Sequence, residues 1–393
     1  MNIARVQSAL KADGIDAWLL YDFRGLNPIA VEVTGVGRQG GHLATRRWYY
    51  LVPAEGEPRA LVHAIEPHTL AHLPGSSHRY AGRDQLEAGL KDLLSGMRRV
   101  AMEYSPRCAI PYIARVDAGT IELVRQYGVD VVSSGDLVQR FAAVWDEATI
   151  ATHREASEKL YRIKDRACES LARCLHDGSR TTEYDLQQLM AGWFREEGLV
   201  SDSDPNVSAG ENSANPHYLP TAARHRPIQR DELVLLDLWG KLDQAGAVFA
   251  DITWMAFAGA RVPERYAKAF GAVRAARDAA IALVQRTASA GQELRGWQVD
   301  RAASSVLQSA GYGDRILHRT GHSLGDAAVH GNGVNMDDYE THDDRRLLSG
   351  TGFTVEPGVY FGDFGVRTEI NMIVRERDAA VTGPLQTEIL TLA

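Results

Sequence analysis

The stretch LVLLDLWGKLDQAGAVFADITWM, residues 233–255, sets one acid inside each of two apolar strands. A run such as LVLL belongs to a strand buried on one face or on both. Asp237 in LVLLDLW and Asp251 in VFADITWM therefore sit where an isolated carboxylate is strongly unfavourable. The pattern recurs downstream, where FTVEPGVY carries Glu356 and VRTEINMIV carries Glu369. The acids are fourteen residues apart in the first pair and thirteen in the second, so two predicted hairpins match. For any one acid, a salt bridge or a solvent-facing position is the simpler reading. Four in equivalent places call for a common counter-charge, and bound metal supplies one.

Working outward, each hairpin follows two helices. The first set reads as helices at about 149–176 and 182–197, then strands at about 231–239 and 247–258. The second reads as helices at about 264–287 and 293–310, then strands at about 352–361 and 365–376. Thr182 with Asp185 makes an N-terminal capping pair, and Gly198 and Gly311 suit helix stops. The helix-helix-hairpin unit thus occurs twice by pattern, although residue identity between the halves is poor. Upstream, helices at 3–13, 84–96, 112–127 and 135–143 alternate with strands at 16–20, 47–53, 58–63, 100–104 and 129–133. That alternation predicts an α/β layer domain, with no glycine-rich phosphate loop after its strands. The expected division is 1–148 and 149–393, giving an α+β chain of two domains.

Composition narrows the classes. The 393 residues are 45% apolar and 24% charged, ordinary for a soluble globular chain. A net charge of −8 argues against a general nucleic-acid binder, which is usually basic. No apolar run reaches the roughly 18 residues of a membrane span. The opening MNIARVQSALKADGIDAWLLYD reads as an amphipathic helix and a strand, not a signal peptide. Three cysteines, Cys108, Cys168 and Cys174, with no CxxC, read as reduced thiols and a cytoplasmic location.

Between the second and third acid-bearing segments lies HRTGHSLG, residues 318–325. Gly321 and Gly325 flank His322, and the expectation is a tight backbone turn that presents the imidazole. Two divalent ions roughly 3.5–4 Å apart, bridged by acids and water, use such a set. Hard oxygens with one imidazole suit Mn, Co or Zn without separating them.

These residues resemble the pita-bread metallopeptidases (M24), in the Xaa-Pro dipeptidase (prolidase) and aminopeptidase P branch. The matching segments, in order, are NPHY (215–218), LLDLWG (235–240), ADIT (250–253), HRTGHSLG, VHG (329–331), TVEPGVY (354–360) and GVRTE (365–369). The resemblance implies a pita-bread catalytic domain behind a creatinase-like α/β domain. It implies five ligands to two divalent ions, Asp237, Asp251, His322, Glu356 and Glu369, with Mn²⁺ ahead of Co²⁺ or Zn²⁺. It also implies His217 and His330 beside the substrate, and a homodimer. The implied reaction is hydrolysis of the bond before proline in Xaa-Pro dipeptides by a metal-bridging hydroxide. Glu356 is the candidate base, and His330 and Arg367 are candidates to contact substrate. Arg367 and Glu369 are two apart on a strand and so face one side, which equally allows a salt bridge from Arg367 to a ligand acid.

This chain departs from the family in several places. About three extra residues lie in the first hairpin, Trp254 replaces the usual Arg after DIT, and His322 to His330 is one residue longer. Gly331 replaces the usual acid. Aminopeptidase P-like action on longer peptides and a non-catalytic peptide-binding protein are the alternatives. A creatinase-type hydrolase needs no metal, which retention of the ligand set argues against. Methionine aminopeptidase lacks so large an N-terminal domain. Trp254 is read as packing or as a wall of the proline pocket. The acids Asp337, Asp338, Glu340, Asp343 and Asp344 are read as a solvated loop. Trp48, Tyr49 and Tyr50, after a glycine-rich stretch at 35–41, are read as strand core or as a lid over a partner's site, and Arg46 and Arg47 are left with them.

Overall fold

The computed structural model describes residues 1–37 and 44–393, so most of the glycine-rich stretch lies outside the described residues. The chain forms two compact units, Met1–Ala142 and Ala143–Ala393.

The first unit runs α1 (Ile3–Ala12), β1 (Ala17–Asp22), α2 (Pro28–Thr34), β2 (Trp48–Pro53), β3 (Arg59–His63) and β4 (Ser76–Tyr80). It continues with α3 (Arg83–Leu93), β5 (Arg99–Met102), α4 (Ala118–Arg125), β6 (Asp130–Ser133) and α5 (Gly135–Ala142). Its sheet has the order β4-β3-β2-β1-β5-β6, with β2 alone antiparallel to its neighbours. Alternate residues feed two cores, as period-2 geometry demands. Trp18, Leu20, Trp48 and Tyr50 pack on one face, and Leu19, Tyr49 and Leu51 on the other. Trp48, Tyr49 and Tyr50 are fully buried strand core, which removes the lid reading. Two elements escape the apolar pattern. β4 (SSHRY) is an edge strand exposed over its first four residues, and α2 is a short helix marked only by its Asn27 cap and Pro28.

In the second unit, α6 (Glu147–Asp177) starts at Asp146, whose Oδ1 accepts from the Thr149 N–H at 2.8 Å. α7 (Glu183–Glu196) starts with the expected box, in which Thr182 and Asp185 bond reciprocally. Then come β7 (Leu199–Val200), β8 (Asn206–Ala209), β9 (Leu233–Leu242) and β10 (Ala250–Phe257). The second half follows as α8 (Glu264–Ser289), α9 (Gly296–Ser309), β11 (Gly352–Val355), β12 (Gly358–Tyr360), β13 (Gly365–Arg367), β14 (Ile370–Arg375), β15 (Asp378–Val381) and β16 (Leu390–Thr391). Gly198 and Gly311 follow α7 and α9 with φ of 69° and 83°, left-handed stops.

The two halves share an order but differ in their hairpins. β9 and β10 pair continuously over eight residues. The second hairpin, read as continuous, breaks into β11–β14 and β12–β13. Glu356 and Glu369 sit opposite each other at the break. Pro357 lies there too, and it has no N–H to give a ladder.

Candidate metal centre

Strand alternation builds the first wall of the site. Register sets Asp237 opposite Thr253 and Asp251 opposite Trp239, so these four share a face. Leu236, Leu238, Ile252 and Trp254 occupy the other face and pack with Leu160 and Tyr161 of α6. Trp254 meets Tyr161 edge-on at 5.9 Å and lies under the Lys164 ammonium at 4.1 Å. Its ring is therefore packing on the far side of the sheet, and the proline-pocket reading is excluded.

Backbone pairing brings the remaining pieces in. The Glu369 N–H donates to the Thr253 carbonyl at 3.3 Å, tying the second half to β10. The histidine segment runs beside β11: Thr354 N–H donates to the His322 carbonyl at 2.9 Å, and Glu356 N–H to the Thr320 carbonyl at 2.7 Å. Gly321 serves this approach rather than a turn. A Cβ there would lie 2.0 Å from the Thr354 carbonyl oxygen, and its φ is not in the left-handed region. Gly325 is likewise crowded, with the Ala328 carbonyl 2.6 Å from where its Cβ would be.

The result is a cavity of about 520 Å³ whose walls include Asp237, Asp251, His322, Glu356, Glu369, His217, His330 and Arg367. Asp251, His322 and Glu369 are 6%, 3% and 2% exposed, and one ligand atom from each lies within 4.8 Å of the others. The His322 Nδ1 lies 3.0 Å from the Ser323 carbonyl, which can only accept, so Nδ1 carries the proton. Its bare Nε2 then faces Asp251 Oδ2 at 3.5 Å and Glu356 Oε1 at 3.7 Å. A lone pair thus confronts carboxylate oxygens with no donor between them. Asp251 Oδ1 and Glu369 Oε1 are also buried without a hydrogen-bond partner. This donor set fits a divalent cation, which meets orphaned oxygens and a neutral imidazole together.

Electrostatics agree. Burial, reinforced by the Asp237 charge, holds the Asp251 carboxyl well above its usual range. Burial and Asp251 do the same to Glu369. Burial pushes His322 down, towards the neutral form a ligand needs.

Asp237 is held differently. Its Oδ2 pairs with the Arg367 guanidinium, and Thr253 Oγ1 lies 3.3 Å from its Oδ1. Thr253 Oγ1 also lies 2.8 Å from Glu369 Oε2 and accepts from Arg367 Nε at 3.0 Å. Arg367 therefore makes the salt bridge to an acid of the set. Its charge is favoured despite burial, because Asp237 and neighbouring acids outweigh that cost.

His330 stacks at a tilt on His322, with ring centroids 4.1 Å apart, and stays accessible from the cavity mouth. Partial burial of its ring, reinforced by His322 beside it, pushes it down to about 4. His217 is exposed on the NPHY loop. That loop is anchored by Glu183, fully buried, which accepts from Tyr218 Oη at 2.6 Å and from the Arg226 N–H at 3.0 Å.

Sequence reasoning missed Glu183, Thr253, His318 and Tyr360. The Tyr360 hydroxyl bonds His318 Nε2 at 2.7 Å and lies 3.5 Å from Arg367. ADIT carries the signal for Thr253, since a hydroxyl two residues from the buried Asp251 shares its face. The acidic run is also a correction. Asp337 and Asp343 are fully buried. Asp337 accepts three successive backbone N–H groups from Tyr339, Glu340 and Thr341, and Asp343 pairs with Arg345. They organise the loop that follows the histidine segment.

The sequence profile of Metallopeptidase family M24 matches residues 154–376. A class of metal-dependent peptidases is thereby defined, and the chain belongs to metallopeptidase family M24. It is 27% identical over 263 residues to a probable dipeptidase, PepE, of Mycobacterium tuberculosis, covering 67% of this chain and 64% of that protein. It is 31% identical over 179 residues to the Xaa-Pro dipeptidase of Lactobacillus helveticus, covering 44% and 43%. The fold matches the crystal structure of dipeptidase PepE from Mycobacterium ulcerans with a TM-score of 0.66 at 21% identity, over 99% of this chain and 96% of that one. The match therefore spans less than two thirds of the curated PepE sequence.

Proposed function

We propose that this protein is a metal-dependent Xaa-Pro dipeptidase. The observation that supports it best is the bare His322 Nε2 facing Asp251 and Glu356, beside two orphaned carboxylate oxygens. Asp237, Asp251, His322, Glu356 and Glu369 would hold two divalent ions, with Mn²⁺ the first choice. When bound, such ions polarise the scissile carbonyl and acidify the attacking water.

The chain's own groups do the rest. Glu356, at the edge of the set, takes the proton from the nucleophile and returns it to the proline nitrogen as the bond breaks. That nitrogen has no hydrogen in the substrate, so it must gain one from an acid. His217, on its anchored loop, donates to the developing oxyanion. His330, neutral because its pKa lies near 4, is suited to hydrogen-bond substrate without adding charge. Arg367 acts through Asp237, fixing that carboxylate's orientation, and its engaged guanidinium is a positioning group. A homodimer and a cytoplasmic location belong to the same reading. Among the described residues no helix is long and apolar enough to cross a membrane.

The test is direct. Bound metal is measured on the purified chain, and Ala-Pro, Ala-Pro-Ala and creatine are assayed with and without Mn²⁺. Metal-dependent cleavage of Ala-Pro over the tripeptide is expected. Preference for Ala-Pro-Ala would move the reading to aminopeptidase P. No metal and no cleavage would sink it.

A further inference from the structure

The first unit holds a second cavity, of about 670 Å³, that the chemistry above does not use. It lies at the sheet edge where β1, β3 and β4 end, lined there by Tyr21, His63 and Tyr80. The antiparallel β2 begins at the same edge and brings Arg46 and Arg47 to it. β1 has an antiparallel neighbour on one side and a parallel one on the other, so the pattern of strand directions changes at this point. Crevices outside the carboxyl ends of strands, where chain direction diverges, are where open α/β sheets take ligands.

The lining is cationic. Arg46, Arg47, Arg83 and Arg115 line it with one carboxylate, Asp117, and Arg83 also pairs outside the lining with Glu87 at 2.8 Å. Asp117 is already committed, accepting from the Thr120 N–H at 2.9 Å and Thr120 Oγ1 at 2.7 Å to cap α4. Arg47 is half-buried and makes no ion pair among the described residues. The N-terminus of α3 opens onto the cavity through Gly82 and Arg83; Gln85 Oε1 accepts from the Ala81 N–H at 2.8 Å, while Gly82 has no side chain to take the N–H groups of the first turn. First-turn N–H groups with no side-chain acceptor offer themselves, with the positive dipole end, to an anion.

A second observation is independent of the helix. The Tyr49 hydroxyl is fully buried and has no hydrogen-bond partner. Tyr49 is not itself a wall of the cavity, but its ring packs on that of Tyr21, which is, with centroids 5.0 Å apart. Burial raises its pKa, so the hydroxyl stays a neutral donor behind the Tyr21 wall. The remaining wall, with Phe23, Leu86 and Leu123, is apolar.

We propose that the amino-terminal unit binds a small organic phosphate, with the phosphate among Arg46, Arg47, Arg83 and Arg115 at the start of α3 and the organic part against the apolar wall. Guanidinium forks suit phosphate bidentately, and several converging forks match its three or more oxygens better than the two of a carboxylate. The volume falls in the range of small-molecule sites. The proposal stands apart from the peptidase reading.

The test uses the full chain, titrated calorimetrically at about 0.15 M salt with ADP, pyrophosphate, adenosine and citrate as probes, in EDTA so that no metal centre takes up phosphate. Saturable binding of ADP, weaker binding of pyrophosphate and none of adenosine are expected. Arg47→Gln and, separately, Arg115→Gln should each weaken ADP binding roughly tenfold or more, with Arg47→Lys losing less. Unchanged melting temperatures show that the variants fold. ADP binding that survives both substitutions lies elsewhere and overturns the site. Citrate binding as tightly as ADP overturns the phosphate assignment. No saturable heat with ADP up to about 10 mM overturns the proposal outright.

Discussion

Replacing Thr253 by valine keeps shape and volume and removes one hydroxyl from the centre of the site. That hydroxyl is fully buried. It lies 2.8 Å from Glu369 Oε2 and accepts from Arg367 Nε at 3.0 Å, so its loss orphans a buried carboxyl oxygen and one charged donor. Hydrogen bonds to charged groups contribute about 1.5–3 kcal/mol each, and two that share an atom are not additive. A loss of about 3 kcal/mol is therefore expected for the metal-free protein. For a unit of this size that lowers the melting temperature by roughly 6–12 °C. Metal affinity should fall about 10–100-fold, because Glu369 and, through Arg367, Asp237 lose their orientation. The assays are thermal unfolding in EDTA and chelator competition for Mn²⁺ on the full chain. Thr253→Ser is the control, since it keeps the oxygen and loses a methyl. If valine and serine variants melt together and bind metal alike, the hydroxyl does not organise the site and the reasoning fails.

Glu356→Gln should lower turnover of Ala-Pro at least about 100-fold while leaving the fold intact, a result checked by steady-state assay beside circular dichroism. Asp343→Ala leaves the buried Arg345 guanidinium without its carboxylate and should cost about 3–5 kcal/mol, measured by urea unfolding. His153 is fully buried between the Phe249 carbonyl and Thr382 Oγ1, and burial lowers its pKa from 6.5 to about 4. The unfolded chain then binds the proton more readily, so this residue's contribution is full above pH 6.5 and is lost as pH falls from 6.5 towards 4, by about 3 kcal/mol. His153→Gln should flatten that part of the stability–pH curve; parallel curves for the two proteins would refute it.

Much of the site could be read in the sequence because it is written as acids inside apolar strands. Burial logic needs no partner to be known, and it singled out Asp237, Asp251, Glu356 and Glu369 from the apolar strand pattern, four acids that line one cavity. The orientation of Trp254 was readable as well, since period 2 sets it against Asp251 and Thr253. The break at Pro357 had its own local signal, a missing N–H inside a predicted ladder. Other features had none. Asp343 looks like its exposed neighbours until Arg345 folds onto it, and Glu183 is hidden because its partners lie 26 to 43 residues downstream. β4 escaped because an edge strand facing water needs no apolar alternation.

The tie between Thr253 and Glu369 spans 116 positions, and that between Asp237 and Arg367 spans 130. No local segment of chain contains a working cation trap. During synthesis the first two acids emerge long before their arginine and their opposing glutamate. Until both halves have docked they lack these partners. On the proposed reading, capture of an ion is a late event by topology, and its uptake would serve as a clock for completed folding rather than as a seed for it.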